Sequence, residues 1–158
     1  MRALLLTPLL CQMAMAHEIG GLQIFITAYL DVAGLFPKTL AACARAAPAS
    51  VAPLQQQYAQ WQREHGVHQQ ELQQLIRRML LQEQPGKADE ADNAIASLRE
   101  TAATVLAPLS FPQNVSSLKD DTFCTRRLPQ VFASTGPLQF GNYVQELKAL
   151  AKPSAPAP

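Results

Sequence analysis

Residues 51–83 read VAPLQQQYAQWQREHGVHQQELQQLIRRMLLQE, and the spacing of the large side chains in this stretch decides the fold class. Val51, Leu54, Tyr58, Trp61, His65, His68, Leu72, Leu75 and Met79 recur in steps of three and four, with Ile76 and Leu80 widening the stripe. Such a period places them on one face of an amphipathic helix. Glutamine occupies most of the remaining positions (55, 56, 57, 60, 62, 69, 70, 73 and 74), which predicts a solvated face of low charge. Gly66 disfavours helix by about 1 kcal/mol relative to alanine. The stripe nevertheless continues in phase across it, so one long helix over about 50–83, bent if anywhere at Gly66, is expected rather than two. Trp61 and Tyr58, one turn apart on the stripe, are expected in the core.

Beyond this stretch, Pro85-Gly86 ends the helix, and Asp89, Glu90 and Asp92 crowd the start of the next, where the helix dipole favours acidic groups. Ala91, Ile95, Leu98, Ala102, Val105 and Leu109 again step by four and three, up to Pro108 and Pro112. Residues 115–128 form a further candidate helix, with Val115, Leu118, Phe123 and Leu128 facing inward. A loop around Ser134-Thr135-Gly136 precedes a last helix over about 138–151, carrying Phe140, Tyr143, Val144, Leu147 and Leu150. On the N-terminal side, Leu22, Phe25, Ile26, Tyr29, Leu30 and Phe36 fit a helix over 22–36. Pro37 would open the alanine-rich segment 38–47, and Pro48 would close it. The chain shows no internal repeat and no strand-turn-strand pattern. The expectation is an all-α protein, an irregular helical bundle of four to six segments. A continuous helix 50–83 would measure about 50 Å against about 33 Å for residues 88–109. Part of it would therefore have to meet the N-terminal helices, bend, or project toward a partner.

The first sixteen residues carry the marks of a secretory leader. Arg2 supplies a positive start, Ala3 to Leu10 a short apolar run, and Ala14-Met15-Ala16 the small side chains of a cleavage site. Leu9-Leu10 before Cys11 disfavour a lipid-anchored alternative. Gly20 to Phe36 is also apolar, but Gln23, Thr27 and Asp31 interrupt it, and a core helix is the better reading. The organisation expected is a signal peptide over 1–16, one helical domain over 17–151 and a Pro/Ala-rich tail over 152–158. No membrane-spanning segment is expected after cleavage, and the mature chain would be exported, periplasmic or secreted. Losing residues 1–16 removes Arg2 and Cys11, which balances the charges and leaves Cys43 and Cys124 as the cysteines. In an oxidising compartment such a pair is expected to form a disulfide.

Composition narrows the function classes. The chain of 158 residues has a formal charge of +1, and its basic residues cluster no further than Arg77-Arg78 and Arg126-Arg127, so it carries no electrostatic footprint for nucleic acid. It has none of the sequence signatures of phosphate, dinucleotide or zinc-protease chemistry, nor a nucleophile elbow. With its cysteines committed to one bridge and three histidines in all, catalysis is not expected. The leading expectation is a non-catalytic module that binds another protein, or self-associates, through the long glutamine-rich helix. The alternative is copper or zinc binding. His65 and His68 share one helical face with Glu64 and Glu71 beside them, and His17 would become the mature N-terminus, adding an α-amine to its imidazole. Asp31, within the apolar first helix, reads as an outward residue or a capped, paired carboxylate. Asn114-Val115-Ser116 fits a glycosylation acceptor, relevant only in a host that uses it.

Overall fold

A computed structural model describes residues 20–83, 85–113 and 122–150. The leader 1–16, His17, Val115, Leu118, the Asn114 sequon and the tail 152–158 lie outside the described residues. Those described form helices and short turns with no strand, so the chain is an all-α bundle. The helices are α1 (Gly20–Ala28), α2 (Val32–Ala46), α3 (Val51–Glu64), α4 (Gln69–Glu83), α5 (Ala88–Thr101), α6 (Leu128–Phe132) and α7 (Phe140–Leu150). Among the described residues no single helix is long and apolar enough to cross a membrane.

The expected helix 22–36 is two helices whose axes differ by 82°. The break follows from Asp31, whose side chain accepts the Gly34 N–H at 3.0 Å and so caps the start of α2. An N-cap residue satisfies one of the orphan amides of a new helix and holds non-helical dihedrals itself, which ends the old one. Leu22, placed inward by the sequence, is exposed. Pro37 does not open a helix; it sits inside α2, where its missing N–H leaves the carbonyl of exposed Ala33 to water.

The stretch 50–83 corrects the expectation of one helix. α3 stops at His65, a 3₁₀ turn spans Gly66–His68, and α4 begins at Gln69. The apolar stripe still faces inward on both sides, with Leu54, Trp61, Leu72, Leu75 and Ile76 buried. Burial explains the break: α3 packs against α2 and α6, while α4 packs against α7, α5 and α1. A straight rod of that length could not have been covered along its length, and each half instead takes its own neighbours. Glycine at 66 permits this because the backbone lies against the Trp61 ring, where a Cβ would stand 3.2 Å from Cζ3.

A π-helical stretch, Ala102–Leu106, follows α5 and leads into a last α-turn, Ala107–Ser110; a second, Phe123–Arg127, leads into α6. Each is five residues long and ends two residues before a proline, Pro108 or Pro129. The widened turn bonds Ala107 N–H to Ala102 O and Leu128 N–H to Phe123 O. A proline crowds and cannot bond the carbonyl four residues back, and an inserted residue accommodates it. The insertion advances the inward face by one position. Val105 and Leu109, expected inward, are 51% and 72% exposed, and Leu106, Ala107 and Phe111 turn in instead.

The core is centred on aromatic rings. Phe132 at the end of α6 meets Phe36 (5.3 Å between centroids), Tyr58 (5.6 Å), Trp61 (5.7 Å) and Phe111 (5.9 Å). Phe36 stacks on Tyr58 at 4.1 Å, and Trp61 meets Phe140 edge-on. Trp61 and Tyr58 are therefore core residues. Cys43 of α2 and Cys124 stand at bonding distance with Cα atoms 5.7 Å apart, as expected of the pair. Closing 81 residues of chain is worth about 4 to 5 kcal/mol by loop entropy. α7 runs over Phe140–Leu150 as the spacing predicts, with Phe140, Val144 and Leu147 buried but Leu150 exposed.

The Trp61 indole N–H donates to the Leu138 carbonyl at 2.7 Å in a buried setting, joining residues 77 apart. Trp61→Phe keeps an aromatic ring and orphans that carbonyl, a loss of about 1 to 3 kcal/mol. Urea unfolding followed by far-ultraviolet circular dichroism should show the midpoint falling with an unchanged slope.

Candidate functional site

Two polar assemblies lie along α4, one on each side. The first begins where α1 ends. The last carbonyls of a helix have no intrahelical partners, and here the glutamines of α4 supply them. Gln69 Nε2 donates to Ala28 O at 3.0 Å and Leu30 O at 2.8 Å, and Gln73 Nε2 donates to Ala28 O at 2.7 Å. Ala28 and Leu30 are buried; both carboxamides serve the Ala28 carbonyl, while the Leu30 carbonyl also accepts the Val32 N–H at 2.9 Å. This corrects the expectation that the glutamines form a uniformly solvated face: Gln69 and Gln73 are half-buried and structural. Gln57 departs too, with its carboxamide oxygen buried and unpaired among the described residues.

Beside this cap opens a cleft of about 450 Å³. Its walls are Tyr29 from the end of α1, Gln70, Gln73, Gln74 and Arg77 from α4, and Asp92, Ile95 and Arg99 from α5. The α4–α5 pairing is antiparallel, since Pro85-Gly86 turns the chain back, and it brings Arg77 to Asp92 at 2.9 Å. The Arg99 guanidinium lies over the Tyr29 ring, 5.5 Å from its centroid. Among the described residues no carboxylate stands within 4.0 Å of Arg99, so one guanidinium of the cleft is unneutralised. Burial pushes the Tyr29 phenol above its usual range, with Arg99 and then Arg77 pulling the other way. The phenol therefore stays protonated at neutral pH. Gln70 and Gln74, one turn apart, have no hydrogen-bond partners among the described residues and offer free carboxamides. Chemically the cleft can hold an anion and hydrogen-bond what surrounds it.

The second assembly contains two of the expected metal ligands. His65 and His68 flank Gly141 of α7, where a Cβ would stand 3.3 Å from His65 Nδ1, 3.2 Å from His68 Cδ2 and 3.4 Å from Glu64 O. A side-chain-free residue thus lets α7 approach the 3₁₀ turn. Gly141 N–H, one of the orphan donors in the first turn of α7, donates to His65 Nδ1 at 3.4 Å. His65 Nδ1 thus faces the backbone of α7. His68 Nδ1 pairs with Glu71 Oε2 at 3.3 Å, a carboxylate contact of the kind that orients an imidazole ring. The other oxygen of Glu71 accepts from Lys148 of α7. The structure thus brings His65 and His68 together as helix-packing groups, and among the described residues no three His, Cys, Asp or Glu side chains gather into a metal set.

Gln73→Leu removes the 2.7 Å bond to the buried Ala28 carbonyl. Gln69 still donates to that carbonyl at 3.0 Å, so the variant should cost about 0.5 to 1.5 kcal/mol in chemical denaturation, whereas Gln55→Leu on exposed α3 surface should cost less than about 0.5 kcal/mol.

The Lys148 hydrogen bond, and then that of His68, holds the Glu71 carboxyl below the usual range. A depressed carboxyl stabilises the fold above its unfolded value, and that contribution is lost as pH falls through the lower folded value. The Glu71 side-chain carbon should accordingly titrate below the other exposed glutamates by carbon NMR, and Lys148→Met should raise its midpoint.

No family model, no curated protein and no solved structure matches this chain.

Proposed function

We propose that this chain is an exported, non-catalytic helical module that binds another protein through the face formed by α4 and α5. The observation that carries the reading is the cleft on that face, where an unneutralised guanidinium and two free carboxamides lie exposed on a rigid helical pair. Polar groups left open on an ordered scaffold are what a partner's surface completes. Nothing in the cleft pairs a nucleophile with a base, which favours recognition over catalysis. Export rests on the order of Arg2, the apolar run to Leu10 and Ala14-Met15-Ala16. Copper or zinc ligation by His65, His68 and His17 ranks below protein binding. His65 Nδ1 faces the Gly141 N–H, His68 Nδ1 faces Glu71, and among the described residues no set of three ligands gathers around them.

The test uses natively secreted protein whose mass begins at His17, cross-linked in its own envelope extract. Recovery of one defined protein, cross-linked through α4 or α5, is the expected outcome. A strictly monomeric species in sedimentation, with no cross-linked partner, overturns the reading.

A further inference from the structure

We propose that the cleft between α4 and α5 receives the carboxylate of a single acidic residue projected by a partner protein. The inference rests on the protein-binding reading of this face and names the chemistry of the partner.

Arg77 and Arg99 face one carboxylate, Asp92, and Asp92 is taken up by Arg77 at 2.9 Å. Arg99 contributes one positive charge with no carboxylate within 4.0 Å among the described residues, and its guanidinium lies over the Tyr29 ring at 5.5 Å, a contact that favours this position. No hydrogen bond or ion pair among the described residues takes up the Arg99 guanidinium, and a guanidinium offers the planar donor fork that matches a carboxylate. The protonated Tyr29 hydroxyl is a further donor on the same wall.

The carboxamides supply the rest of the recognition. Gln70 and Gln74 sit one turn apart on α4 and each offers a donor and an acceptor. Peptide groups flanking an acidic residue present the complementary pairs. Gln73 does not compete for the ligand, since its amide is committed to Ala28. Asp92 restricts the ligand: a second negative charge, in an acidic run or a doubly charged phosphate, would meet it across the cleft.

The walls favour a partner protein over a free solute. Gln70, Gln74, Arg77, Asp92 and Arg99 are all exposed. A small ligand in its own pocket has about 70 to 90% of its surface covered, which these open walls cannot do. A side chain projecting from a docked protein brings the missing wall with it.

The experiment titrates the mature chain with acetyl-Gly-Glu-Gly-amide, its Gly-Gln-Gly counterpart and free butyrate, a solute with the same single carboxylate. Binding is read from the Arg99 Nε–H and the Gln70 and Gln74 side-chain NH₂ resonances. The glutamate peptide should shift all three, with affinity falling as salt rises. The glutamine peptide should bind at least tenfold more weakly, as should the glutamate peptide on Arg99→Gln. Arg99 is exposed, so that variant should fold, and Gln70→Ala/Gln74→Ala provides an independent loss of peptide affinity. Equal binding of both peptides, or unchanged binding to Arg99→Gln, overturns the proposal. Butyrate binding more tightly than the peptide overturns the protein source and makes the cleft a solute site. A native partner captured equally by wild type and Arg99→Gln overturns the cleft and leaves protein binding standing. A cleft that binds the glutamate peptide while no native partner is found overturns the protein-binding reading instead.

Discussion

The hydrogen bond from the Trp61 indole to the Leu138 carbonyl is the constraint on which the arrangement of helices depends. It fixes the largest side chain of α3 against the segment that leads into α7. The indole then forms the surface on which the chain turns at Gly66, because the backbone there lies against its six-membered ring. The same indole meets Phe132 and Phe140, so α3, α6 and α7 are set relative to one another by one residue. A buried donor with one good acceptor specifies geometry more sharply than apolar contact does, since the alternative is an unpaired carbonyl in the core.

Turning the chain at Gly66 gives α4 a different set of neighbours from α3. On one side its start meets α7 through His65, His68, Glu71 and Lys148; on the other its glutamines cover the end of α1 and its arginine reaches α5. The glutamines of α4 divide accordingly. Gln69 and Gln73 point at the orphan carbonyls of α1 and become structural, while Gln70 and Gln74 look into the cleft. The four share a residue type and a helix, and their angular position relative to α1 alone separates their roles.

The two prolines placed after π-helical stretches act on the fold in a similar way. By requiring an extra residue in the turn before them, Pro108 and Pro129 rotate the chain beyond that turn. This turns Phe111 inward against Phe132, and it carries Phe132 to the centre of the aromatic cluster. The same rotation leaves Val105 and Leu109 facing out.

The sequence by itself determined the helical class, the inward stripe on either side of Gly66, the last helix and the cysteine pair. Each of these follows from local period, from composition or from the count of cysteines, and burial on one face of a helix is written in every third or fourth residue. Neither the cap that Asp31 makes nor the 82° turn it initiates was legible, because the apolar spacing runs on through it. Tertiary structure alone decided the break at Gly66, the inward face after Ala102 and the division of the glutamines. Covering a long rod depends on the lengths of its neighbours, and the inward phase after a π turn depends on where one residue is inserted. A carboxamide fits water, a helix end or a ligand equally well until another element arrives beside it. His65 and His68 illustrate the same limit. Their spacing suits two metal ligands, but α7 settles their contacts by placing Gly141 between them and Lys148 beyond Glu71, and helix spacing carries no information about a segment that returns 76 residues later.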